Sequence, residues 1–211
     1  MSVVLFGLFL LFVVGQGLTG VREYNAEQRT HDEPTVTFGE YLTTAHFGEA
    51  LFENWESEFL QMAGFVLFTV FLRQKGSAES KQPYGEEDVD QDPRESRRRK
   101  DVPWPVRRGG LILKLYENSL FLAFALLFLL SFWLHGIQGA HLYNGEQREH
   151  REPTVTTAEY FTTARFWFES FQNWQSEFLA VGSMALFSVY LRQRGSTESK
   201  PVDMPHAETA G

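Results

Sequence analysis

Two polar motifs in this 211-residue chain place metal-ligating side chains at matching positions. The string Tyr-Asn-x-Glu-Gln-Arg-x-His-x-Glu-Pro occurs twice. It offers Tyr24, Glu27, Arg29, His31 and Glu33 in the first copy and Tyr143, Glu146, Arg148, His150 and Glu152 in the second. In an extended backbone, residues two apart project to the same side, so His31 with Glu33, and His150 with Glu152, each present one imidazole and one carboxylate. Brought together, the four make a His2Glu2 set of a kind that Zn, Mn or Fe accepts, and with it a metal-dependent enzyme. The plainer alternative is structural. Arg29 and Arg148 then pair with neighbouring carboxylates, while Tyr24, Glu27, Tyr143 and Glu146, with the His and Glu residues, brace a loop or cap the next helix.

Glu58 and Glu177 carry the second possible chemistry. Each stands about one turn inside the start of an apolar stretch, and a carboxylate there is costly unless it is paired, hydrated or protonated. Two such groups facing one cavity would suit a small carrier of cations or protons; just outside the hydrocarbon, beside Trp55 and Trp174, they would be solvated helix-surface residues. Other signals are weaker. Residues 15–20 spell the glycine fingerprint of dinucleotide sites, but no strand-helix-strand pattern surrounds them, so Gly17, Gly20, Gly136 and Gly139 read instead as helix ends or points of close backbone approach. His46 and Glu49 become Arg165 and Phe168 in the second copy, which makes them poorer candidates. No Ser/His/Asp triad or phosphate loop can be assembled from spacing.

The elements that must position these residues come in duplicate. Residues 24–81 align with 143–200 without a gap, and 35 of the 58 positions are identical. Each copy follows an uncharged apolar run, 2–18 or 119–134, close to the ~20 residues that span ~30 Å of hydrocarbon. Thr37 with Glu40, and Thr156 with Glu159, have the capping-box spacing, so a helix should start there. From Phe38 onward Tyr41, Leu42, Phe52, Trp55 and Phe59 recur on one helical face, with Glu40, Glu49, Glu53 and Glu56 largely off it. This amphipathic part runs without Pro into uncharged stretches at 59–72 and 178–191. Starting those at Asn54 and Asn173 brings each to about 19 residues, with Trp55 and Trp174 suited to the interface. Ala63-Gly64 and Gly182-Ser183 fit close helix packing.

The expected architecture is therefore an all-α membrane protein. It has four transmembrane helices arranged as two parallel pseudo-twofold repeats, with amphipathic helical extensions and polar outer loops. Its parts are repeat unit one at 1–75, a charged cytoplasmic linker at 76–110, repeat unit two at 111–200 and a disordered tail at 201–211. Residues 1–20 lack the basic start and Ala-x-Ala site of a signal peptide, and their counterpart lies mid-chain, so they read as a span. Residues 73–114 hold 11 of the 19 Lys and Arg residues and the tail from Arg192 holds 3. Positive charge stays inside, which puts both termini and the linker in the cytoplasm and the motif copies outside. Arg97 to Lys100 either fix that orientation or attract anionic lipid.

Composition narrows the chemistry further. With no Cys there is no disulfide, thiol nucleophile or cysteine metal site. A net charge of -8 argues against nucleic acid as a partner. The lipid bilayer is the expected partner, with a homo-oligomer allowed. The strings LFGLFL, EYLTTAHF, FENWESEFL and RQKGSAESK give the chain a resemblance to small bacterial multi-pass membrane proteins grouped as a domain-of-unknown-function family. That resemblance implies residence in the bacterial inner membrane and brings no activity, substrate or catalytic residue. The leading expectation is a non-enzymatic structural or membrane-stress protein. The carrier using Glu58 and Glu177, and the outer-face enzyme with a divalent metal on His31, Glu33, His150 and Glu152, stand as alternatives.

Overall fold

The computed structural model of the chain describes residues 1–85 and 87–209. Glu86 of the linker, and Ala210 and Gly211 of the expected tail, lie outside the described residues. Among the described residues there are eight α-helices, one 3-10 turn and no strand. The helices are α1 (Ser2–Thr30), α2 (Phe38–Tyr41), α3 (Ala45–Phe71), α4 (Trp104–Arg108), α5 (Gly110–Glu117), α6 (Ser119–Glu149), α7 (Thr157–Tyr160) and α8 (Ala164–Tyr190). The chain divides into two compact units, one of Met1–Trp55 with Leu130–Ser170, the other of Glu56–Leu129 with Phe171–Gly211. Each draws on both sequence halves.

In the first unit, α1 and the end of α6 run further than the apolar runs that start those helices. The motif residues Tyr24 to Thr30 and Tyr143 to Glu149 are helical, not the extended loop expected from their polarity. Nothing before Asp32 or Arg151 forbids a helix, and polar residues of good helix propensity simply continue it. It stops where Asp32 and Arg151 take left-handed backbone conformations, φ 57° and 60°, followed by Pro34 and Pro153, which cannot extend it.

Both capping boxes form, at Thr37 with Glu40 and at Thr156 with Glu159. The helices they start last one turn. Thr44 and Thr163 donate their hydroxyls back to the carbonyls of Tyr41 and Tyr160 and accept the amides of Phe47 and Phe166, so each caps a new helix. The single long helix expected from Thr37 is thus broken at 42–44. The glycines of α1 and α6 let the short helices lie close: a Cβ on Gly20 would meet the Tyr41 hydroxyl at 2.3 Å, and one on Gly136 the Phe161 ring at 2.1 Å. Close approach, not helix termination, is their role. The buried cluster of Ala140, Tyr160 and Phe166, flanked by Phe132, Tyr143, Val155 and Phe161, is the core of this unit.

One polar clasp closes each turn after the motif. Asn25 donates to the Val36 carbonyl and accepts its amide, both at 2.8 Å, and Asn144 does the same with Val155. An Asn144→Ala chain loses both bonds at a half-buried site. It is expected to unfold more easily by about 1–3 kcal/mol, read as a lowered thermal midpoint.

In the second unit, the lower half of α3 meets α8 through Phe68 and Phe178, whose ring centroids are 6.5 Å apart, and the Phe178 ring lies 3.4 Å from where a Gly64 Cβ would be. Gly182 has open space around it instead. Glu56 is fully buried and accepts a hydrogen bond from Trp174 Nε1 at 3.0 Å. After α3 the chain turns back on α8, where Gln74 donates to the Ala185 carbonyl and the Ser77 and Ser188 hydroxyls meet at 3.3 Å. The Lys200 ammonium, also buried, donates to the carbonyls of Pro205, His206 and Glu208.

Candidate functional site: a buried acid–imidazole cluster beside a polar cavity

Three helices of the first unit bring ionisable groups together at one point. His135 follows directly on the uncharged run of α6 and its side chain is fully buried. Its Nε2 lies 4.0 Å from Glu49 Oε1 on α3 and 3.6 Å from Glu169 Oε2 on α8, and the Glu49 and Glu169 side chains are only 12 and 16 per cent exposed. The Phe166 ring packs on the imidazole at a centroid distance of 4.9 Å and closes that side to water.

Glu169 is the best-held member. Its Oε2 accepts from the Tyr160 hydroxyl at 2.9 Å and its Oε1 from Arg165 Nε at 2.8 Å, while the other arm of the Arg165 guanidinium holds Glu146. Arg165 also lies over the Tyr143 ring, 5.8 Å from its centroid. Electrostatics separate the two carboxyls. Burial, reinforced by the charges of Glu53 and Glu169 and opposed by His135 and Arg165, pushes Glu49 up to about 7. Burial works the same way on Glu169, but the nearby His135 and the hydrogen bonds from Arg165 and Tyr160 outweigh it and hold that carboxyl below its ordinary value. Burial and the Glu169 charge raise the Tyr160 phenol, and the hydrogen bond to Glu146 raises Arg165. At neutral pH the site therefore has a fixed anion, a fixed cation and a carboxyl poised to gain or lose a proton, an arrangement able to hold a proton or a metal cation.

Beside this cluster lies a cavity of about 690 Å³. Tyr24, Glu27, His31, Glu33, Glu146 and Arg148 of the motif copies line it, together with Glu23, His46, His141, Glu149 and Arg165. Arg29, Tyr143, His150 and Glu152 do not. Arg29 is exposed on the last turn of α1, His150 Nδ1 sits 2.8 Å from the Glu146 carbonyl of its own helix, and Glu152 is exposed. Glu33 accepts from Gln28 at 3.2 Å. Within the cavity, Glu23, Glu27 and His46 bring three possible ligand atoms within 4.8 Å of one another, with Tyr41 OH 3.1 Å from His46 Nδ1. In the second unit Glu58 is exposed and Glu177 half-buried, within electrostatic reach of each other.

Comparison of the two copies could not have found the buried cluster, because its members are not repeated. Counted along the alignment, Glu49 stands opposite Phe168, Glu169 opposite Ala50 and His135 opposite Gln16. One signal was available: His135 is the first ionisable side chain after an uncharged run of 16 residues, and such a residue at the edge of an apolar segment is a functional candidate in its own right.

Fold and site together describe an all-helical protein in which two helices, Ser2–Thr30 and Ser119–Glu149, are long and apolar enough to cross a membrane. The chain belongs to the family described as Domain of unknown function (DUF6766), which matches residues 1–211. No curated protein and no solved structure matches it.

Proposed function

We propose that the chain is an integral protein of a bacterial inner membrane that crosses the bilayer four times and serves a structural, non-enzymatic role, with the two motif copies on the outer side. One observation carries this reading. In the most apolar 18-residue windows of α1 and α6, only 6 and 17 per cent of the residues are buried by the rest of the chain. Leu10 is 61 per cent exposed, Phe12 67 per cent and Leu126 67 per cent. Helices that apolar and that uncovered need a non-aqueous surround, and hydrocarbon supplies it without any further protein contact.

The remaining two spans lie at 54–72 and 173–191, formed almost wholly by α3 and α8. Each has 19 residues, about 28 Å of length at 1.5 Å per residue, close to the ~30 Å of hydrocarbon. Phe71, Leu179 and Leu186 leave them outward. The copies at 24–81 and 143–200, identical at 35 of 58 positions and joined by an even number of spans, support two parallel repeats, and the cationic linker and tail support a cytoplasmic location for both termini. The bilayer is the partner, and the exposed apolar faces leave room for a second copy of the chain.

The absence of native cysteine makes the test direct. Glu33→Cys and Glu152→Cys chains are expected to react with a membrane-impermeant maleimide in intact spheroplasts, and Ser96→Cys and Ser199→Cys chains only after lysis. The protein should also stay with the membrane through an alkaline carbonate wash. Release by carbonate, or labelling of position 96 from outside, overturns the reading.

A further inference from the structure

We propose that Glu49, His135 and Glu169 form a binding site for one divalent first-row transition ion. The inference stands on ligand geometry and is independent of how many times the chain crosses a membrane. The three ligand atoms come from three different helices and all lie within 4.8 Å of one another. Ligands bound at ~2.0–2.1 Å in a tetrahedral site are ~3.3–3.4 Å apart. The 3.6 and 4.0 Å separations from His135 Nε2 thus need to close by about 0.2–0.7 Å, which rotation of the two carboxylates supplies.

The surroundings are those of a prepared site. His135 is fixed by burial and by Phe166, so its Nε2 is held toward the two carboxylates. Tyr160 and Arg165 orient Glu169 from behind: Arg165 occupies Oε1, and Oε2 has a second lone pair beyond the one that accepts from Tyr160. Glu146 and Glu169 share the single guanidinium of Arg165, and Glu49 on the far side of His135 adds a third carboxyl, a surplus of acid that favours a cation. Arg165, which holds Glu169, itself lines the polar cavity and links the cluster to it. One imidazole nitrogen with two carboxylate oxygens suits Zn2+, Mn2+ or Fe2+ better than the softer metals that select sulfur, and better than Mg2+, which keeps its water and seeks oxygen alone. Glu23, Glu27 and His46 are a weaker set, since the Glu23 side chain is 69 per cent exposed and meets His46 Nε2 only at 3.7 Å.

The experiment uses the full chain, purified in detergent, stripped with chelator and titrated calorimetrically with Zn2+ and separately with Mn2+. One ion per chain is expected, with Mg2+ at the same concentration producing no comparable heat. Glu49→Gln and His135→Gln should each weaken Zn2+ binding by more than tenfold, and Tyr160→Phe by about tenfold through loss of the outer hydrogen bond. A Glu23→Gln/Glu27→Gln chain should bind as the parent does. Co2+ loaded in place of Zn2+ should give a visible absorption band that the His135→Gln chain lacks, a readout that a merely structural role for the imidazole would not move. Thermal melts of each metal-free variant establish that it is folded, and Glu49→Gln, which keeps the shape of the side chain, serves as the control against misfolding. Absence of stoichiometric binding to the parent chain, unchanged binding by folded Glu49→Gln, or loss of binding in the Glu23/Glu27 double variant overturns the proposal.

Discussion

Glu49→Gln is expected to make the metal-free protein more stable than the parent at pH 8, by up to about 3 kcal/mol, and to leave stability nearly unchanged at pH 4.5 and below. Glu49 is held at about 7 in the folded chain against an ordinary 4.5, chiefly by burial and then by the charges of Glu53 and Glu169, with His135 and Arg165 pulling the other way. Between those two values the folded chain binds more protons than the unfolded one, so stability falls as pH rises. The contribution is complete below about 4.5, declines through the interval and is gone above about 7. A carboxyl displaced that far corresponds to about 3 kcal/mol at 1.36 kcal/mol per pH unit. The amide of Gln cannot ionise, so its chain should lose this slope and keep the full value at pH 8. Denaturant or thermal melts in chelator from pH 4 to pH 8 measure it; parallel curves for the two proteins would show that Glu49 is solvated instead.

Glu169→Ala should act in the opposite direction and at all pH values where the carboxylate is ionised. That substitution takes the shared acceptor from Tyr160, Arg165 and His135 at once. Breaking a buried pair from one side costs ~3–5 kcal/mol because the partner keeps its desolvated charge. The Arg165 side chain is 35 per cent exposed and retains Glu146, so a loss of about 2–3 kcal/mol is expected here. Glu169→Gln keeps an acceptor for the Tyr160 hydroxyl and should cost less. In the parent chain the same contact makes part of the stability vanish as pH falls through the lowered Glu169 value, the reverse of the Glu49 slope. A Glu169→Ala chain within ~0.5 kcal/mol of the parent would mean that the network carries no energy.

Particular residues show how much of this was legible. The all-helical class follows from long apolar runs, helical spacing of Tyr41, Leu42, Phe52, Trp55 and Phe59, and the two Thr-x-x-Glu caps, each of which depends only on neighbours within a turn or two. Local polarity misled in one place. The Tyr-Asn-x-Glu-Gln-Arg motif looks like a loop because it is hydrophilic, yet Glu, Gln and Arg are good helix formers, and α1 and α6 run on through it. Spacing misled in another: helical periodicity continues across residues 42–44, but the hydroxyl of Thr44 caps the next helix and ends the first. Repetition has its own bias. Residues present in both copies, His31, Glu33, His150 and Glu152, stand out in the sequence, whereas Glu49, His135 and Glu169 occur once each and do not.

By itself the sequence determined the helical class, the capped helix starts at Thr37 and Thr156 and the apolar segments, because each is set by interactions among residues near in the chain. Only the tertiary structure decided that Glu49, His135 and Glu169 meet, that Arg165 joins them to the cavity wall and that Glu56, not Glu58, is the buried acid of its turn. Those outcomes depend on how three helices are rotated and set against each other, and a rotation of 100° per residue moves a carboxylate from solvent to core without altering anything that spacing alone records.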